Sequence, residues 1–145
     1  MDEIRRQALV LLIEAEPDVL ANLAATLDRA GYVCHCCDTG EAAIRFAQSR
    51  TPDLILSEVN LSGVRGLEIC QRIKGDPMMA HVPVMFLSGN QIPDIIRRRD
   101  ALGGTYYLRK PCDPEVLLEL VDKAVWRPRF VDAAEAVHCE AAVLS

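Results

Sequence analysis

Residues 8–17 read ALVLLIEAEP: six apolar residues without a break, two glutamates around an alanine, and a proline. An unbroken apolar run of this length is the pattern of a strand buried on both faces, since a strand with one wet face alternates apolar and polar residues. The run stops at Glu14, and Pro17 stands where a helix can start, because proline at the first helical position loses no hydrogen bond. Strand, acidic turn and helix in this order open a parallel α/β unit, and the same alternation recurs downstream.

Leu54–Leu56 and Val82–Leu87 repeat the buried-strand character. Leu20, Leu23, Ala24 and Leu27 fall at i, i+3, i+4 and i+7, as do Leu117, Leu120, Val121 and Ala124, so each series gives a helix one apolar stripe. Gly31 suits a helix C-terminus, Thr39 a helix N-cap, and Asp113 followed by Pro114 an N-cap with proline behind it. The resulting order is strand 8–13, helix 17–30, strand 32–37, helix 39–49, strand 53–58, helix 64–74, strand 82–87, helix 92–102, strand 105–109 and helix 113–125. That is (βα)5, and right-handed crossovers then give a doubly wound parallel α/β sheet with helices on both faces.

The 145 residues are 50% apolar and 26% charged, enough for one domain with a single core. Sixteen Lys and Arg against 21 Asp and Glu leave a net charge of -5, which gives nucleic acid and anionic membranes no electrostatic footing. The N-terminal apolar run is too short for a signal peptide or a spanning helix, so the expected location is the cytoplasm. Six cysteines show no disulfide framework. Cys34 and Cys37 form a C-x-x-C around His35, but on a strand positions three apart face opposite ways, which argues against a shared metal or redox centre.

Sheets of this class bind ligands beyond the carboxyl ends of their strands. Those ends carry Glu14-Ala15-Glu16, Glu58, Ser88-Gly89 and Lys110-Pro111. In the flavodoxin-like strand order 2-1-3-4-5, the ends of strands 1, 3, 4 and 5 lie side by side. Carboxylates for a divalent cation, with a hydroxyl and an ammonium for phosphate oxygens, are phosphoryl-transfer equipment. A polar rim with ordinary salt bridges accounts for any one of these residues but not for their order.

Over residues 8–125 the chain resembles the receiver domain of two-component response regulators, the chemotaxis-regulator type. LLIEAEP (11–17) resembles the acidic first-strand motif, PDLILSEVNLSGVRG (52–66) the phosphoacceptor strand and its loop, PVMFLSG (83–89) the hydroxyl motif and YLRKP (107–111) the lysine motif. The resemblance implies that Ser88 is the switch hydroxyl, Lys110 the phosphate-binding lysine and Tyr107 the aromatic that changes rotamer on activation. It also implies a cis bond between Lys110 and Pro111, which proline permits. Signalling in a phosphorelay through a protein partner, and not enzymatic turnover, is the expected function.

Two departures fall on the family's one reaction. Glu58 stands at the phosphoacceptor Asp, and Ala15 at the principal metal-binding Asp. Ala15 removes an oxygen ligand from a Mg²⁺ site that demands near-octahedral coordination. The extra methylene of Glu58 displaces its carboxylate by about 1 Å, a large penalty in a reaction that depends on positioning. Glu14, Glu16, Glu58 and the carbonyl of Asn60 remain as candidates for a weakened cation site. Three readings stay open: Glu58 reaching Ser88 and Lys110 as an imperfect mimic of a phosphoryl group, a binding scaffold with Glu58 merely paired to Lys110, or residual Mg²⁺-dependent phosphorylation of Glu58. A regulatory domain of a larger output protein is a further alternative.

The loop over 59–66 keeps Gly63 and Gly66 but has Ser62 where the family usually has proline after the position of Leu61. Arg97, Arg98 and Arg99 fall on the helix over 92–102, which with the strand over 105–109 and the helix over 113–125 forms the family's usual partner surface. Of Tyr106 and Tyr107 only one points outward, since they are neighbours in a strand. Beyond an interruption at Trp126-Arg127-Pro128-Arg129, residues Phe130, Ala133, Ala134, Val137, Ala141 and Leu144 form an apolar stripe. The expectation for 126–145 is a sixth amphipathic helix that docks on its own domain, supports a homodimer or begins a linker.

Overall fold

The computed structural model describes residues 7–61, 64–89 and 105–126. Its elements are β1 (Leu9–Ile13), α1 (Pro17–Arg29), β2 (Val33–Cys37), α2 (Gly40–Ser49), β3 (Leu54–Glu58), α3 (Gly66–Lys74), β4 (Val84–Ser88), β5 (Thr105–Arg109) and α4 (Pro114–Trp126). The strands form one all-parallel sheet in the order β2-β1-β3-β4-β5. This is the doubly wound α/β arrangement anticipated from the alternation of buried strands and striped helices.

Every residue of β1, β3 and β4 is buried, which explains why these strands read as continuous rather than alternating apolar runs. Their period of two sends Leu11, Ile13, Ile55, Phe86 and Tyr107 into one core layer against α2 and α3. Val10, Leu12, Leu54, Met85 and Leu108 go to the other, against Leu23 and Leu27 of α1 and Leu117, Leu120 and Val121 of α4. Each such side chain, fully buried, contributes about 1.5–3 kcal/mol, so the register is strongly held. A one-residue slip would exchange the two layers.

Local signals place the turns. Pro17 is the first residue of α1, Gly31 takes a left-handed φ of 96°, Thr39 Oγ1 accepts the Ala42 N–H at 3.1 Å, and Asp113 Oδ1 accepts the Glu115 N–H at 2.8 Å. The bond between Lys110 and Pro111 is cis.

Several boundaries differ from the sequence expectation. The helix expected from residue 64 begins at Gly66, because Val64–Arg65 pairs antiparallel with Asn60–Leu61. The fourth strand runs to Ser88, and a short 3-10 turn, Pro77–Met79, precedes it. Trp126 does not interrupt the last helix but belongs to it, and its indole N–H donates to the Tyr32 hydroxyl at 3.1 Å. The helix expected over 92–102 with its three arginines, Ser62 and Gly63 of the loop, and the extension beyond Trp126 lie outside the described residues. Among the described residues no helix is long and apolar enough to cross a membrane.

Candidate functional site

Parallel pairing sets the strand ends level. Ile13, the last residue of β1, is in register with Ser57, so Glu14 emerges beside Glu58 at the end of β3. Both carboxyl-bearing residues are buried, with 2% and 7% exposure. Lys110 follows β5, anchored by its N–H on the Ser88 carbonyl at 2.7 Å. Strands lie about 4.8 Å apart, so the contact of Lys110 with β3 and β1 is made jointly, by the lysine leaning over the strand ends from beyond β5 and by the two glutamates reaching toward it.

The Lys110 ammonium meets both carboxylates: Glu14 Oε1 at 2.8 Å, and Glu58 Oε1 in a second ion pair. The other oxygen of each glutamate accepts the backbone N–H two residues downstream, Glu16 N–H to Glu14 Oε2 at 3.2 Å and Asn60 N–H to Glu58 Oε2 at 3.1 Å. All four carboxylate oxygens are thereby engaged. Burial pushes the lysine's pKa down, but the hydrogen bonds and charges of Glu14 and Glu58 outweigh it and hold the pKa above its ordinary 10.5.

This donor set does not fit the divalent cation that the resemblance implies. Glu14 and Glu58 are committed to Lys110, Glu16 is an exposed N-cap residue of α1, and the remaining candidate, the Asn60 carbonyl, is a single neutral oxygen. Ala15 offers only a methyl group. Among the described residues no group of three or more His, Cys, Asp or Glu side chains is arranged to hold a metal.

Ser88 is buried at the end of β4, in register with Arg109. Tyr107 is the inward member of its pair, 3% exposed and stacked on Phe86 with ring centroids 5.9 Å apart, while Tyr106 is half-buried on the other face. The ion-paired cluster itself forms one wall of a groove of about 780 Å³, lined by Glu14, Glu58, Asn60 and Lys110 and continuing along Leu23 of α1 and Leu117 of α4.

One supporting residue was not singled out from the sequence. Ser57, fully buried directly before Glu58, donates its hydroxyl to the Glu58 carbonyl at 2.9 Å. Gly66 packs against the same carbonyl, where a Cβ would collide with it, and its N–H donates to Val59 O at 2.6 Å. A serine in an otherwise apolar strand was the available signal. Cys34 and Cys37 fall in opposite core layers, and burial pushes their thiols up to about 12 and about 11, so the C-x-x-C is not a joint thiolate centre.

Comparison with known proteins agrees with this geometry. Residues 10–122 match the family model described as "Response regulator receiver domain". The chain is 34% identical over 132 residues to the DNA-binding dual master transcriptional regulator RpaA of Synechocystis, covering 90% of this chain and 54% of that protein. It is 30% identical over 118 residues to the phosphate regulon transcriptional regulatory protein PhoB of Pseudomonas aeruginosa, covering 81% of this chain and 51% of that protein. The chain thus spans about half the length of these curated relatives. Among solved structures, the chemotaxis response regulator CheY4 of Vibrio cholerae superposes with a TM-score of 0.75 at 27% identity, over 82% of this chain and 99% of that one. Fold and relatives converge, and the chain belongs to the response regulator receiver domain family, a signalling module of two-component systems and not an enzyme.

Proposed function

We propose that this receiver signals without phosphoryl transfer, as a cytoplasmic binding module recognised by a protein partner. The observation that carries the reading is the closed ion cluster: Lys110 is held by both Glu14 and Glu58, and Ala15 supplies no metal ligand. Phosphoryl transfer to a carboxylate needs a cation between acceptor and donor, and a free, positioned acceptor oxygen. Here an internal ammonium takes the cation's place, and both Glu58 oxygens have partners. Glu58 acts as a fixed counter-charge that keeps the strand ends in one arrangement. The receiver unit of this proposal is 8–125, with 126–145 as an extension, and its partner surface is the face of β5 and α4 with the segment over 92–102.

Incubation with acetyl phosphate and Mg²⁺, followed by intact-mass measurement, tests this. The parent and Glu58→Asp stay unmodified, while Ala15→Asp/Glu58→Asp gains a phosphoryl group. A Mg²⁺-dependent, hydroxylamine-sensitive modification of Glu58 in the parent overturns the proposal and makes the chain a working phosphoacceptor.

A further inference from the structure

Strand β2 is an edge of the sheet, and its side chains are far more exposed than those of the inner strands. The Val33 N–H donates to the Ala8 carbonyl and the Cys37 carbonyl accepts from the Glu14 N–H, so alternate residues 33, 35 and 37 direct their backbone groups at β1. Cys34 and Cys36 therefore direct theirs outward, and among the described residues no strand lies beyond them. Natural edges are usually guarded by lysine, proline or a bulge. The sequence here, Val-Cys-His-Cys-Cys, has none of these, and Val33 is 41% exposed. The wall beside the edge is ordered: His35 stacks on Phe46 at 3.9 Å, and the Arg50 guanidinium lies 5.7 Å from the Phe46 ring centre.

Charges at the two ends of this edge differ in sign. Exposed Asp38 and Glu41 sit at the carboxyl end, with Arg45 one turn further along α2. Exposed Arg29 and Arg50 sit at the amino end, with Asp28 beside Arg29. A two-fold antiparallel partner would bring each acidic end against the other copy's basic end.

We propose that β2 pairs antiparallel with β2 of a second copy, centred on His35, joining the two sheets edge to edge. In that register Cys34 lies opposite Cys36 of the other copy, twice, and these are the hydrogen-bonded pairs, as the outward direction of their backbone groups requires. Four backbone hydrogen bonds and a short strand make a small interface, so the dimer dissociates in the range of about 10 µM to 1 mM.

Sedimentation equilibrium of the full chain across that range tests the proposal. The parent dimerises, and Cys36→Ser, which keeps the backbone N–H, dimerises alike. Cys36→Pro, which removes an outward N–H without touching the β1 ladder, weakens association at least tenfold, and Cys36→Lys does the same should the proline variant fail to fold. Mild oxidation with diamide, which takes one hydrogen from each of two thiols, gives more disulfide-linked dimer from a mixture of Cys34→Ser and Cys36→Ser than from either alone. A parent that stays monomeric at 1 mM, or a dimer indifferent to both Cys36→Pro and Cys36→Lys, overturns the proposal.

Discussion

Glu14 and Glu58 are held alike: each gives one carboxylate oxygen to Lys110 and the other to the backbone N–H two residues downstream, Glu16 at 3.2 Å and Asn60 at 3.1 Å. The likeness follows from the fold. Both residues lie at the carboxyl ends of adjacent parallel strands kept level by the Ile13–Ser57 register, and both are followed by a turn that points its amides back. Two buried carboxylates facing one ammonium leave a net negative charge, which the two backbone amides spread.

Removing the ammonium exposes that repulsion. Lys110→Met should destabilise the fold by about 1–3 kcal/mol in urea titrations, less than a fully buried broken pair costs because the lysine side chain is 20% exposed. Adding Glu14→Gln to Lys110→Met should restore part of the loss. A double variant no more stable than Lys110→Met would show that the carboxylates do not repel.

The lysine also sets an alkaline limit. Its folded pKa is raised above 10.5, so its stabilising contribution is fully present below 10.5 and is lost as pH rises through the folded value. The difference in Tm between the parent and Lys110→Met should be constant from pH 7 to 10 and shrink above 10.5. Subtracting the variant removes the titration of the tyrosines, which is common to both.

Gly66 is fixed by close packing. A Cβ there would strike the Glu58 carbonyl and come within 2.9 Å of Ser57 Oγ. Gly66→Ala should cost about 1–3 kcal/mol, measured by denaturant unfolding. Thr39→Ala, which removes only the N-cap acceptor of α2, should cost about 1 kcal/mol and serves as the comparison at a site remote from the cluster.

Thiol reactivity should follow burial. Among the five cysteines of the described residues, exposed Cys36 should react first with iodoacetamide at pH 8, as read by peptide mass. Burial pushes Cys70 up to about 12, partly opposed by its hydrogen bond with Ser57, so it should stay unmodified until the chain unfolds. Fast labelling of Cys70 in the native protein would contradict its placement between α3 and the sheet.

The sequence by itself determined the alternation of strands and helices and the set of residues at the strand ends, because period-two and period-3.6 patterns report which faces are buried, while the strand order came with the resemblance to a known fold class. It also marked Glu58 and Ala15 as departures, since each occupies a fixed place in an ordered motif. Boundaries after Glu58 were less legible: the pairing of Asn60–Leu61 with Val64–Arg65 depends on chain reversal and not on any periodic pattern. Only the tertiary structure decided what Glu58 does. Lys110 is 52 residues away in sequence and reaches it past β4, and its ammonium is shared with Glu14, an arrangement set by three strands' relative registers and by the joint reach of the lysine and the two glutamates. The same holds for β2, whose five residues name no edge until the sheet is assembled and, among the described residues, no strand lies beside its outward amides.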